Sequence, residues 1–268
     1  MEIYTGKLPK GFLYVPQDNY YFCNPETSEK TYLYSDSATS CIILVLVGKD
    51  KQGEPLVALT HLCREIRFRE FFRLAEEKFD GATALYAYGA NPAWPVAKGG
   101  SFSYDALANV DTLQKWTVQK VWYPEKSAEA PSFYLSQTTI CVGMGDPNTG
   151  YGVCGIDIDP ASKDYLKVSN KNFILDGNDR DKTHGLQTLF CIFGVKSGLP
   201  SLLLRSAEDE FTQEEIDALV AGAKGRDWGK LANLTDEEIL DRYSTTPEYE
   251  PTWFCENLRE SARFVAER

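Results

Sequence analysis

The sequence predicts an α+β protein: a mixed or antiparallel, sandwich-like β-sheet core with flanking helices and a helical C-terminal appendage. Three observations carry this expectation. Short apolar runs rich in β-branched and aromatic residues, each bounded by Gly, Pro, Asn or Asp, recur through the first two hundred residues. Two capping boxes, each opening an amphipathic stretch, then follow in the last quarter. A hydrophobic content of 43% and a charged content of 25% over 268 residues suit a soluble globular chain that buries a full core. The expected division is residues 1–203 as the α+β domain and 204–268 as helices packed on it.

The clearest element is a β-hairpin. Ile42 to Val47 and Leu56 to Leu59 are apolar, and Gly48 to Pro55 between them is dense in turn residues. With the turn centred near Lys51, antiparallel partners sum to about 102, which sets Cys41 opposite His61. A helix is expected over Arg69 to Phe79, then a strand Ala82–Tyr88 and a loop Gly89-Ala-Asn-Pro92. A helix-like stretch, Tyr104 to Leu113, precedes a strand Val118 to Tyr123. Phe133–Val142 and Tyr151–Ile158 read as strands flanking a reversal at Gly143–Gly150, and Asn172–Leu175 and Gly185–Val195 are further apolar runs. Thr212-Gln-Glu-Glu215 and Thr235-Asp-Glu-Glu238 start helices, and a last helix should span Trp253 to Val265. Gly222–Gly229 and Ser244–Pro251 read as linkers.

Several functions are disfavoured by composition and motif. A net charge of −11 argues against nucleic acid or an anionic membrane as partner. The longest apolar run, Cys41 to Val47, is far too short to cross a bilayer, and the N-terminus has no apolar signal-peptide core. Seven cysteines without a C-x-x-C pair suggest a reduced setting: the cytoplasm, or the host cytosol for a delivered effector. The Gly143–Gly150 loop lacks a P-loop lysine and returns into a strand. The Asp176–His184 segment lacks the glycine and closing glutamate of a calcium loop. No cofactor and no metal are therefore expected, and nothing in the sequence specifies an oligomeric state.

The chemistry, if any, sits at Cys41 and His61. Directly opposed residues share a sheet face with Cβ atoms ~4.5–5.5 Å apart, within reach of a thiol–imidazole hydrogen bond. A cysteine attacks as its thiolate, which at a free pKa near ~8.5 is scarce at neutral pH, so a neighbouring base matters. His61 and His184 are the two histidines. His184 is the rival base, or a substrate-binding residue in a long loop. The alternative is that Cys41 packs as a small hydrophobe and does no chemistry.

The segment Ala38-Thr39-Ser40-Cys41, followed by an apolar strand, a short hairpin and His61, resembles the thiol deamidases. These are the chemotaxis-receptor glutamine deamidases of the CheD type, the cytotoxic necrotizing factors and the Burkholderia lethal factor. The helix, strand and loop after His61 continue the likeness, which spans roughly residues 35–125. The resemblance implies a Cys-His hydrolase in which Cys41 attacks the carboxamide of a protein glutamine. His61 would pass the thiol proton to the leaving ammonia, and water would release the thioester. Ser40 and Thr39 are the candidates for oxyanion or orienting groups, the backbone amides of Ser40 and Cys41 among them. Family members orient the imidazole with a threonine side chain or a backbone carbonyl, and Ser35, Ser37 and Thr39 are the local candidates here. Two other readings stand beside this one. A small-molecule tailoring enzyme would use the same pair, with Trp94, Tyr88 and other aromatics lining its pocket. A non-catalytic binding domain would bury Cys41 inert.

Overall fold

The computed structural model describes residues 2–4, 10–36, 38, 40–89, 108–109, 111–113, 134–142, 154–157, 168–169, 173–175, 204–222, 228–244, 247, 250 and 253–268. Its strands in chain order are β1 (Glu2–Tyr4), β2 (Phe12–Tyr14), β3 (Asn19–Cys23), β4 (Tyr32–Ser35), β5 (Ile42–Asp50) and β6 (Pro55–Leu62). They continue as β7 (Phe79–Gly89), β8 (Tyr134–Val142), β9 (Cys154–Asp157), β10 (Val168–Ser169), β11 (Phe173–Leu175) and β12 (Arg205–Ser206). The helices are α1 (Glu65–Lys78), α2 (Gln213–Gly222), α3 (Trp228–Ala232), α4 (Asp236–Tyr243) and α5 (Phe254–Ala266). Residues 108–109 and 111–113 are also helical.

The fold is α+β, built on a mixed sheet. Six strands run in the order β12-β3-β6-β5-β7-β8, and four more form a second sheet, β10-β9-β4-β2. The central pairs β3–β6, β6–β5 and β5–β7 are antiparallel, while β7–β8 and β12–β3 at the margins are parallel. A parallel pair, β1 with β11, stands apart. Side chains alternate across a strand, so β5 serves two cores at once. Ile42, Leu44 and Leu46 pack with Ala58, Leu62 and the α1 residues Phe68, Phe71, Phe72 and Ala75. Ile43 and Val45, with Val57 and Leu59, meet Val15 and Leu33 from the side of the smaller sheet. Burial on both faces is why Cys41–Val47 reads as a continuous apolar run and not as an alternation.

The hairpin forms, but its register differs from expectation. Ile42 pairs with Leu62 and Ile43 with His61, so partners sum to 104 (42 + 62). The turn chemistry explains the shift. The Asp50 side chain accepts from the backbone N–H of Gln52 and of Glu54, and Gly53 takes φ +85°. That three-residue turn closes on Asp50 and Glu54, through Asp50 N–H to Glu54 O at 2.8 Å, one residue later than a turn centred on Lys51.

Helix α1 starts at Glu65, four residues before the expected Arg69, and its buried residues begin at Arg67. The N-terminal strands β2, β3 and β4 were not foreshadowed by a strong period. In the last quarter both capping boxes form. Thr212 and Glu215 exchange side-chain-to-backbone hydrogen bonds, as do Thr235 and Glu238. Helix α3 occupies part of the expected linker Gly222–Gly229, since Leu231 and Ala232 are buried beside Leu258 and Val265. The helices share this core of their own. Among the described residues the lead-in strand β12 links them to the larger sheet, with Leu204 inserted in the main core and Arg205 paired to Glu215 of α2. The expected strands Val118–Tyr123 and Gly185–Val195 lie outside the described residues. Among those described, no helix is long and apolar enough to cross a membrane.

Candidate active site

The end of the large sheet where β5 begins and β6 and β7 finish gathers the polar residues. Cys41 directly precedes β5, and its pairing ladder with β6 stops at Ile42–Leu62. His61 therefore stands opposite Ile43, and not opposite Cys41 as the simple turn implied. The two-residue change in the partner sum keeps Cys41 and His61 on one face, because the side-chain period is two. Cys41 lies one residue before the ladder begins, and Cys63 one residue past its end. Cys41 and His61 are both buried, at 6% and 4% exposure, whereas Ser40 is partly exposed.

Ser35, at the end of β4, reaches across from the second sheet. Its Oγ donates its one hydrogen to Val15 O at 2.7 Å. The 2.9 Å contact between the same oxygen and His61 Nδ1 must then carry the imidazole hydrogen, with Nδ1–H donating to Ser35 Oγ. That fixes the tautomer. Nε2 is left with a bare lone pair, buried and without a hydrogen-bond partner. The thiol–imidazole hydrogen bond expected from direct opposition is thus not made. An unsatisfied buried acceptor costs about 1–3 kcal/mol, and His61 Nε2 is one of seven buried side-chain atoms without a hydrogen-bond partner among the described residues. Burial pushes the His61 imidazole down to about 4, against an upward pull from Asp18 and Asp36. Burial also drives the Cys41 thiol well above its ordinary range, with Cys63, Asp18 and Glu250 adding to the shift and a Ser40 hydrogen bond opposing it. Burial thus favours the uncharged form of each group.

A second polar group backs the first. Asp18, fully buried at φ +56°, accepts from Cys63 N–H at 3.1 Å and from Cys63 Sγ–H at 2.9 Å. Arg67 of α1 balances its charge, with Nε 3.7 Å from Asp18 Oδ2 and Nη1 2.7 Å from Glu70. Asp18 N–H also donates to His61 O at 2.6 Å, holding the backbone of the histidine. Asn109, 2% exposed, donates to Ser40 O at 2.8 Å and Cys63 O at 2.9 Å. Gly89 completes the floor. At φ +121° it sits so close that a Cβ there would fall 2.5 Å from Cys41 O.

Of the residues expected at the site, Cys41 and Ser40 lie just before β5 and His61 near the end of β6, and the Ser35 hydroxyl contacts the imidazole. Thr39, Ser37, Trp94 and His184 lie outside the described residues. Tyr88 stands in the same cross-strand row as His61, through Ile43. Asp18 and Asn109 escaped the sequence reading, because each reaches the site through the fold and carries no local motif. Among the described residues no cluster of His, Cys, Asp and Glu has metal-binding geometry. A surface cavity of about 310 Å³ lies elsewhere, lined by Tyr21, Cys23, Ser28, Lys30 and Glu208 among others.

Fold and site together describe an α+β protein with a buried Ser35–His61 pair and a buried Cys41 at one end of its central sheet. No protein-family model and no curated protein matches the chain.

Proposed function

We propose that the protein is a cysteine-dependent amidohydrolase whose substrate is a carboxamide, with the glutamine side chain of a protein as the leading class. The observation that carries this reading is the tautomer lock: Ser35 holds Nδ1–H, so Nε2 offers its lone pair on the face shared with Cys41. In the proposed reaction the Cys41 sulfur attacks the amide carbon while Nε2 takes the thiol proton. The tetrahedral adduct collapses, the imidazolium gives that proton to the departing nitrogen, and ammonia leaves. Water, deprotonated by the same Nε2, cleaves the thioester to a carboxylic acid and regenerates the thiol. Because thiol and imidazole both rest uncharged, proton transfer accompanies attack and no standing thiolate precedes it. The resemblance to the thiol deamidases supports the substrate class, and a hydroxyl side chain on the imidazole fits the third role found in that family.

The second reading is a binding domain with an inert cysteine, favoured by the burial of Cys41 and its raised thiol. Ammonia release from glutamine-bearing proteins and peptides, with the amide-to-acid conversion mapped by mass spectrometry, separates the two. The wild type should convert a glutamine, and Cys41→Ser and His61→Ala should both lose at least about 100-fold, the scale of a general base. Equal conversion by the wild type and Cys41→Ser would overturn the amidohydrolase reading.

A further inference from the structure

We infer that Asn109 is a positioning residue for the nucleophile, an inference that rests on the Cys41–His61 reading above. The pairing ladder ends at Ile42–Leu62, and Cys41 and Cys63 lie just past it. No hydrogen bond runs between Cys41 and His61 to hold them in place, since Nε2 has no partner. Asn109 takes over where the ladder stops. Its side-chain nitrogen has two hydrogens, and they go to Ser40 O at 2.8 Å and Cys63 O at 2.9 Å.

Each of these two carbonyls matters for a different reason. Ser40 C=O belongs to the rigid peptide plane whose other end is the Cys41 N–H. Holding that carbonyl fixes where the N–H points, and the N–H beside a nucleophile is the usual donor to a developing oxyanion. Cys63 C=O lies two residues beyond His61, so the same amide ties the end of the base's strand to the peptide of the nucleophile. A carboxamide is suited to this clamp: it gives two hydrogens from one atom and brings no charge next to a buried thiol. Asn109 sits at 2% exposure and is helical, as are residues 108 and 111–113; an apolar side chain in its place would have filled the space but left both carbonyls bare. Thr112 steadies that segment by donating to Ala108 O at 2.8 Å.

The test is a double-mutant cycle read on Cys41 itself. Iodoacetamide alkylation at pH 7, resolved by peptide mapping, is compared in the wild type, His61→Ala, Asn109→Ser and the double variant, each checked for a native circular dichroism spectrum. Asn109→Gln, which keeps an uncharged carboxamide but displaces it by one methylene, serves as the second variant should the serine protein fail to fold. Asn109→Ser should slow Cys41 by about tenfold or more in the wild-type background, and by less than about twofold once His61 is gone, because coupled residues are not additive. A merely structural role would lower the melting temperature and give the same factor in both backgrounds. That outcome, or unchanged Cys41 reactivity in a folded Asn109 variant, overturns the inference. The wild type against His61→Ala reads the underlying pair alone. If those two react equally, the Cys41–His61 reading falls first and takes Asn109's role with it.

Discussion

At the scale of single residues the site is governed by one hydrogen. Ser35 has only one to give, and Val15 O receives it, so the imidazole must donate through Nδ1. An alanine at residue 35 would free the ring to adopt either tautomer, whereas threonine keeps the hydroxyl. Burial then sets the charge state of the whole group. His61 is held neutral down to about pH 4, and Cys41 stays a thiol at any physiological pH. Asp18 has a buried cation beside it, Arg67. Removing one partner of such a buried pair strands the other and is far more damaging than replacing both. Asp18 also adopts φ +56°, which an aspartate tolerates better than most residues, so the loop before β3 is shaped to deliver it.

At the scale of elements the site depends on where strands begin and end. Cys41 precedes β5, His61 is the next-to-last residue of β6, and Gly89 ends β7. Gly89 is needed twice over, for its φ of +121° and for its approach to Cys41 O and Ala38. Gly89→Ala should therefore lower stability by about 1–3 kcal/mol, the range for a strained backbone position, as measured by urea denaturation. A loss below about 0.5 kcal/mol would mean the strand end relaxes freely. The hairpin, helix α1 and the two capped helices were legible in the sequence because period and capping are local signals. The register was not, since it turns on whether Asp50 or its neighbours close the turn, a choice made by side-chain hydrogen bonds. The β2–β4 strands were missed because they are short and rich in tyrosine, with few aliphatic residues to mark a period. Ser35 was visible only as one hydroxyl among several; what selects it is its place at the end of β4, facing β6 from the second sheet.

At the scale of the molecule, the buried site links stability to pH. His61 titrates at 6.5 when unfolded and at about 4 in the fold. Between those values the unfolded chain holds a proton that the folded chain refuses, so stability falls as pH drops through that window, by at most about 3 kcal/mol. At high pH the sign reverses. Cys41 and Cys23, the latter pushed up to about 11 by burial, stay protonated in the fold while unfolded thiols ionise. Stability should then fall again above about pH 9. Urea midpoints across pH 4–10 check this, and His61→Ala should flatten the slope between pH 4 and 6.5; parallel slopes in the two proteins would contradict a buried neutral His61. Burial is also the part of the site that spacing along the sequence does not show. A cysteine before one strand and a histidine on the next are apparent in the sequence, whereas desolvation depends on β4 and on Asn109, which arrive from distant parts of the chain.

The most direct measurement is the rate of Cys41 alkylation by iodoacetamide as a function of pH, in the wild type and in His61→Ala. If Nε2 is the base for a neutral thiol, the wild-type rate should rise through about pH 4 as the imidazole sheds its proton. It should then stay level to about pH 8 and climb again only as the thiolate forms. His61→Ala should lose the plateau and keep only the alkaline rise. A wild-type profile that follows thiol ionisation alone, unchanged by His61→Ala, would contradict the pairing of Cys41 with His61 and leave Cys41 as a buried, inert side chain.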